Sequence, residues 1–360
     1  MRSRPPRQVS RAGARHLASV GAAALLFLAA STGFAARQTE EEHVLASETP
    51  YQAVAGEIDA REIKSVIEDL SRMGSRVTGY PGYEEAASYV ERRFKELGLE
   101  AVETETFPLV VPMAQPDSEG RSATVSVMTG GTAVDKFGIE PMWPNLVRLP
   151  KTPRNGLTGR LIYAHKGSLR EFNGQDVSGS IVMLDHNCGS DWYNGPLLGA
   201  RAILFIEPEE TIRGEAEQKF MSMPVDLPRF WVPKEVADHL LGLLESQDRV
   251  TVRLDCDMTW ERRPACKNIV GRITGSDPAL AKETVVIQSY YDSISVVPTL
   301  SPGAENACSI SAMFQVIKAL KAHPPKRTII FLATSGHFEG LAGTKWFIRN
   351  RVRGARQDKR

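Results

Sequence analysis

The chain has 360 residues, 42% hydrophobic and 24% charged. That composition excludes a disordered, collagen-like or polytopic membrane protein and leaves room for two or three domains of about 100–200 residues each. Its 44 Lys and Arg stand against 43 Asp and Glu for a net charge of +1, so no overall basic field draws in nucleic acid.

The balance hides an asymmetry. Arg2, Arg4, Arg7, Arg11 and Arg15 all precede the first acidic residue, and without them 39 basic residues face 43 acidic ones. Behind these arginines runs an uncharged stretch, 17–36, closing on Gly33, Phe34 and Ala35. This is the layout of an export signal cleaved after Ala35. The run also reaches the ~20 residues of a membrane span, so an uncleaved anchor is the alternative. In both cases the arginines stay inside and the folded part lies outside the cytoplasm, secreted, periplasmic or membrane-anchored.

Residues 37–58 are polar, with Glu40, Glu41 and Glu42, and read as a linker. Asp59 and Glu62 have capping-box spacing, after which Ile63, Val66, Ile67, Leu70 and Met73 share one helical face. A second helix is predicted over 83–97, with Ala86, Ala87, Val90, Phe94 and Leu97 inward and Gly98 as its stop, and a strand over 102–111.

From about residue 112 to 264 the pattern changes to short apolar runs separated by Gly, Pro and Asn: 123–128, 161–164, 180–184, 202–206 and 250–254. His165 and His186 lie in this stretch and default to surface or loop positions, whereas Trp143, Trp192 and Trp231 default to core or interface aromatics. From 268 the order strand, strand, helix, strand, helix predicts a doubly wound α/β sheet. The expected organisation is thus a signal or anchor at 1–36, a linker at 37–58, an α/β domain at 59–112 and 265–350, a β-rich insertion at 113–264 and a basic tail at 351–360. The sheet is expected to continue beyond residue 350, leaving an uncovered face or apolar edge. Cys188, Cys256, Cys266 and Cys308 are too few for a disulfide scaffold and lack zinc-site spacing. Cys256 and Cys266 either bridge two neighbouring strands or stay free and buried.

Several segments taken together resemble the zinc aminopeptidase family, metallopeptidase family 28, which includes aminopeptidase Y, glutamate carboxypeptidase, the transferrin receptor ectodomain and nicastrin. Ser75-Arg76-Val77-Thr78-Gly79-Tyr80-Pro81-Gly82-Tyr83 is similar to its Ser-Arg-x-x-Gly-x-x-Gly segment. The insertion resembles a protease-associated domain, most clearly at 177–182 and 198–204. Residues 268–271, 284–293, 301–311 and 328–343 follow in the family's order. The resemblance implies a sheet carrying two zinc ions at its strand ends, bridged by an aspartate and served by a free glutamate that takes the proton of the attacking water.

Carried over position by position, the resemblance points to a lost metal centre. The family's His-Tyr-Asp-Ser reads Tyr290-Tyr291-Asp292-Ser293, so Tyr290 replaces a ligand while the orienting Asp292 persists. Pro-Gly-Ala-Asn-Asp reads Pro302-Gly303-Ala304-Glu305-Asn306, which puts Asn306 at the bridging aspartate. His337 takes the general-base position and Phe338 a ligand position, with Glu339 following. Asp292 and His337 are therefore vestigial catalytic positions, Tyr290, Asn306 and Phe338 vestigial metal positions, and Glu305 and Glu339 cleft candidates for binding. Ser309 and Ser335 have no histidine and acid arranged as a relay.

The expected function is that of an exported, non-catalytic member that binds peptide or protein ends, without cofactor or nucleic acid, touching a membrane only through the N-terminal segment. The alternative is an active zinc exopeptidase of aminopeptidase type with unusual ligands.

Overall fold

The computed structural model describes residues 49–143, 148–220 and 225–353. The arginine-led apolar run, the linker up to residue 48 and the tail beyond 353 lie outside the described residues. Among the described residues no helix is long and apolar enough to cross a bilayer. Helix α1 (Thr49–Gly56) occupies the end of the stretch expected to be linker. Gln52, Ala53 and Ala55 supply helix propensity there without an amphipathic pattern to announce it.

Helix α2 (Ala60–Ser71) begins at Asp59, whose carboxylate accepts from the Arg61 N–H at 2.8 Å. The expected capping box is only half made. Glu62 turns to Arg93 at 2.9 Å and Lys318 at 3.3 Å, while the Asp59 N–H donates to Gln315 Oε1 at 3.0 Å. Tertiary partners have displaced the local one. Helix α3 (Pro81–Glu96) starts on a proline, whose fixed φ suits a first helical turn. Gly82 beside it has no room for a side chain, since a Cβ would lie 2.2 Å from Met73 O and 2.6 Å from Ser75 O.

Strand β1 (Glu100–Gln115) leads into β2 (Ala123–Thr129), β3 (Thr132–Pro141), β4 (Leu157–Tyr163), β5 (Ile181–Asp185), β6 (Ala202–Ile206), β7 (Arg229–Val232) and β8 (Thr251–Asp255), and the chain returns through β9 (Asp257–Ile273) to β10 (Thr284–Tyr290) and β11 (Thr328–Thr334). Strands β2 to β8 close into a seven-stranded barrel in the order β2-β3-β7-β6-β5-β4-β8. The other four form a sheet in the order β1-β9-β11-β10. The doubly wound expectation is corrected here: the sheet is mixed, with β9 antiparallel to both β1 and β11 and only β10 and β11 parallel. Apolar runs mark strands but not their direction. Direction follows from the path of the chain, which leaves along β1, builds the barrel and comes back along β9. These two strands pair from Glu100 to Gln115, straight through residue 112, with register shifts between Glu100 and Glu103 and between Phe107 and Leu109, the latter opposite residues 264–265.

The barrel interior is packed by Val125, Ile139, Leu161, Met183, Leu204, Phe230 and Val252. Helices α4 (Asn194–Leu197), α5 (Arg213–Phe220) and α6 (Lys234–Ser246) accompany it, and α6 adds Ala237 and Leu240 to that interior. On one face of the sheet, α2, α3 and α7 (Ala304–Ala322) bury Leu70, Val90, Phe94, Ile310, Phe314 and Ile317 against Ile269, Phe331 and Ala333. The other face is thinner: Phe347 of α8 (Ala342–Phe347) packs on Val270 and Leu332. Strand β10 forms the edge, with Val285 44% and Val286 41% exposed. Residues Ile348–Arg353 continue α8 as a wider π-helical turn.

The open cysteine alternative resolves, and one histidine expectation changes. Cys256 and Cys266 are both free and buried. They lie ten residues apart on one extended run, about 30 Å at strand rise, far beyond disulfide reach. His186 is buried at 1% exposure, edge-on to Phe205 and Trp231. Its place just past β5 continues the outer face of the barrel, which the local sequence does not reveal.

Gly82→Ala should destabilise the protein by about 3 kcal/mol in urea unfolding, because the two carbonyls that meet the new methyl are backbone and cannot turn aside.

Candidate functional site

Strands β10 and β11 run parallel, so their carboxyl ends lie together, and the loops leaving Tyr290 and Thr334 meet there. What fixes these loops is the segment that joins α2 to α3. Arg76 has no exposed surface. Its Nε donates to Tyr291 O at 3.2 Å, Nη1 to Leu70 O at 3.0 Å and to Pro302 O, and Nη2 to Gly303 O at 2.8 Å. Along the backbone, Arg76 N–H donates to Ser301 O and Ser293 N–H to Arg76 O. Ser75 Oγ donates to Pro298 O at 2.5 Å. Burial lowers the guanidinium to about 10, an effect opposed by the Asp292 charge, so it remains a cation at neutral pH.

Thr78 makes the second tie. Its hydroxyl donates to Asp292 Oδ2 at 2.9 Å and accepts from Gly336 N–H at 3.0 Å. The same Oδ2 accepts from His337 N–H at 3.0 Å. Asp292, fully buried, therefore anchors the backbone of the loop after β11. Arg76 and Thr78 were not singled out from the sequence, although both sit in the Ser-Arg-x-x-Gly segment. The available signal was an arginine and a threonine flanked by glycines between two helices, a place where polar side chains serve loop carbonyls.

At the strand ends the side chains of Tyr290, His337 and Phe338 form one aromatic cluster. Tyr290 and His337 stack with centroids 3.9 Å apart and planes at 24°, and Phe338 stands edge-on to both at 5.5 and 4.9 Å. All three are partly exposed. Burial pulls the His337 imidazole below its ordinary value, which favours the neutral ring.

Asn306 lies in the first turn of α7, where its Oδ1 accepts from Ile294 N–H at 3.4 Å. The turn before it needs glycine: Gly303 has φ +56°, and a Cβ there would lie 2.5 Å from Ser293 Cβ and 2.9 Å from Asn306 Oδ1. Glu305 is exposed and pairs with Arg213 of α5 at 3.2 Å. Glu339 faces inward toward Asp292. Burial first, and the Asp292 charge second, hold its carboxyl well above the ordinary glutamate range. Asp292 Oδ1 and Glu339 Oε2 are both buried without a hydrogen-bond partner. Burial also raises the nearby Cys266 thiol to about 12, and the neighbouring Glu339 adds to the rise, which leaves Cys266 unreactive near neutral pH.

This donor set does not suit a pair of zinc ions. A phenyl ring has no lone pair to give, a neutral amide brings no charge to bridge two dications, and the one imidazole present lies flat on a phenol. Among the described residues no three His, Cys, Asp or Glu side chains gather closely enough to hold a metal ion.

The two carboxyls give the site a pH dependence of definite sign. Glu339 binds its proton more tightly in the folded protein than in the unfolded chain. Its contribution is therefore intact below the ordinary glutamate pKa and is lost as pH rises through the raised folded value. Denaturant unfolding from about pH 5 to about pH 9 should show stability declining toward alkaline pH, and Glu339→Gln, which keeps the shape without the ionisation, should flatten that decline. Arg76→Leu should cost about 3–5 kcal/mol in the same assay, because it removes four charge-assisted hydrogen bonds to carbonyls and leaves Asp292 without its nearby cation.

Residues 268–359 match the sequence model described as Peptidase family M28. No curated protein matches the sequence significantly. Among solved structures, the chain is similar to a zinc aminopeptidase from Bacillus subtilis, with 20% identity and a TM-score of 0.51 over 81% of this chain and 65% of that one. It is similar also to a Peptidase M28 precursor from Shewanella amazonensis SB2B, with 16% identity and a TM-score of 0.51 over 85% of this chain and 70% of that one. The chain thus spans about two thirds of the length of these proteins, and at such identities the likeness is one of fold. The sequence pattern of peptidase family M28 thus lies in residues 268–359, and the fold of the chain is similar to that of these two solved proteins.

Proposed function

We propose that this protein is an exported, non-catalytic member of the family that binds peptide or protein ends. The observation that carries the reading is the aromatic cluster of Tyr290, His337 and Phe338 at the strand ends, where the family resemblance expects metal ligands and a general base. Rings packed at 3.9 to 5.5 Å fill the space with carbon and leave one imidazole as the sole nitrogen donor among them. Without a bound zinc ion nothing brings the pKa of an attacking water from near 16 toward ~7, so amide hydrolysis lacks its nucleophile. Asp292 is committed to Thr78 and the His337 backbone, and the pull of burial on Glu339 keeps it protonated, so neither is placed to act as a general base.

Export is supported by the arginine-led apolar run at the N-terminus. Binding of chain ends is supported by a partly exposed aromatic surface at strand ends, where open α/β sheets take their ligands.

The test measures bound zinc and hydrolysis of aminoacyl anilides in the full-length protein. The expected outcome is substoichiometric zinc and no chelator-sensitive turnover. Restoring Tyr290→His, Asn306→Asp, His337→Glu and Phe338→Glu together should raise zinc binding toward the two ions of the family. Stoichiometric zinc with turnover in the unaltered protein would establish the active exopeptidase instead. Separately, peptides with free amino ends should bind more tightly than their N-acetylated forms, by roughly tenfold in Kd, if end recognition operates here.

A further inference from the structure

The outer face of the barrel carries a buried cation that no acid accompanies among the described residues. On β5, β6 and β7 the register sets Val182, Ile203 and Arg229 side by side, with Leu184, Phe205 and Trp231 in the next row on the same face. His186 follows one step further and meets the rings of Phe205 and Trp231. This face is covered by Met142, Phe172, Val177, Trp192, Val296 and Val297, so the arginine lies in an apolar core. Arg229 is 2% exposed. Its guanidinium lies 5.7 Å from the centre of the Trp192 ring, and Nη2 donates to Trp143 O at 2.9 Å.

What remains is unsatisfied. Among the described residues, Arg229 Nη1, Trp231 Nε1 and His186 Nε2 are all buried without a hydrogen-bond partner. No carboxylate pairs with Arg229 among the described residues, and Glu215, which acts on the neighbouring His186, is held by Lys219 at 3.0 Å. The sequence supplies no acid between Trp143 and Arg148 or between Lys219 and Val225 that could serve instead. The layer therefore keeps an excess positive charge together with idle N–H donors. A buried charge in that position costs several kcal/mol unless a counter-charge joins it. Water would satisfy the donors and leave the charge.

We propose that this layer binds a small monovalent inorganic anion of chloride size, held by Arg229 Nη1 with the Trp231 indole N–H beside it. Arg229 is enclosed in an apolar layer, which favours a small anion over larger carboxylates and phosphates. The site borders the loop that follows Asp292: Trp143 accepts from Arg229 through its carbonyl and donates through its N–H to Val296 O at 2.6 Å. The anion thus completes the seam between barrel and sheet.

The experiment compares thermal melting of the full-length protein in chloride, in bromide and in gluconate at equal ionic strength, and locates bromide by its anomalous scattering in crystals. The expected result is a saturable rise of about 3 °C in the halides alone, with a bromide peak in hydrogen-bonding reach of Arg229 Nη1, and loss of the halide effect in Arg229→Met. Equal melting in all three salts overturns the proposal, as does density for water only, or a halide effect that survives in Arg229→Met. Should Arg229→Met fail to fold, the melting series and bromide map of the unaltered protein decide alone.

Discussion

The arrangement at the strand ends depends on one buried guanidinium. Three parts of the chain present carbonyls there: the last turn of α2 at Leu70, the turn after β10 at Tyr291, and the turn before α7 at Pro302 and Gly303. A planar cation with five N–H donors can serve all of them from one position, which an ammonium on a flexible stem cannot. Arg76 does so, and its own backbone joins Ser293 and Ser301 in the same region. The cost of burying the charge is offset by four charge-assisted hydrogen bonds and by the nearby Asp292 carboxylate.

This constraint bears on what holds the loops at the strand ends. If the loops at the strand ends were held by zinc, replacement of the ligands would release them. Here they are held from behind, by Arg76 through carbonyls and by Thr78 and Asp292 through Gly336 and His337. Beyond that framework project a stacked tyrosine and histidine with an edge-on phenylalanine. The barrel contributes from the other side. Thr299 donates to Glu140 at 2.6 Å, Glu305 pairs with Arg213, and Val296 and Val297 enter the apolar layer on the outer barrel face. The loop between Asp292 and α7 is thus fixed at both flanks by protein contacts alone.

Periodicity made much of the architecture legible. The helical face of Val66 and Leu70, the inward row of Val90 and Phe94, and the run at 202–206 all fold as read, because each encodes its neighbour-facing side locally. Helix α6 was overlooked because it lies between short β runs, where its Leu240 and Leu243 resemble another strand. Glu62 was read as half of a cap, yet Arg93 and Lys318 arrive from distant elements and hold it more strongly than an exposed N–H can. The candidate site was legible as a set of positions, since Tyr290, His337 and Phe338 follow the ends of recognisable strands, but Arg76 and Thr78, which place those strand ends, were not.

By itself the sequence determined most of the segments that become helix or strand, with α1 and α6 among the exceptions, the change of pattern between the helical and the short β stretches, and the chemical identity of the groups at the strand ends. Those properties depend on side-chain type and spacing, which local physics reads directly. Only the tertiary structure decided the direction of β9 in a mixed sheet, the burial of His186 and Arg229 in the outer layer of the barrel, the separation of Cys256 from Cys266 and the inward turn of Glu339 toward Asp292. Each depends on which distant segment packs alongside, and strand pairing, desolvation and the charge of a neighbour are set by that packing rather than by the residue's own surroundings in the chain.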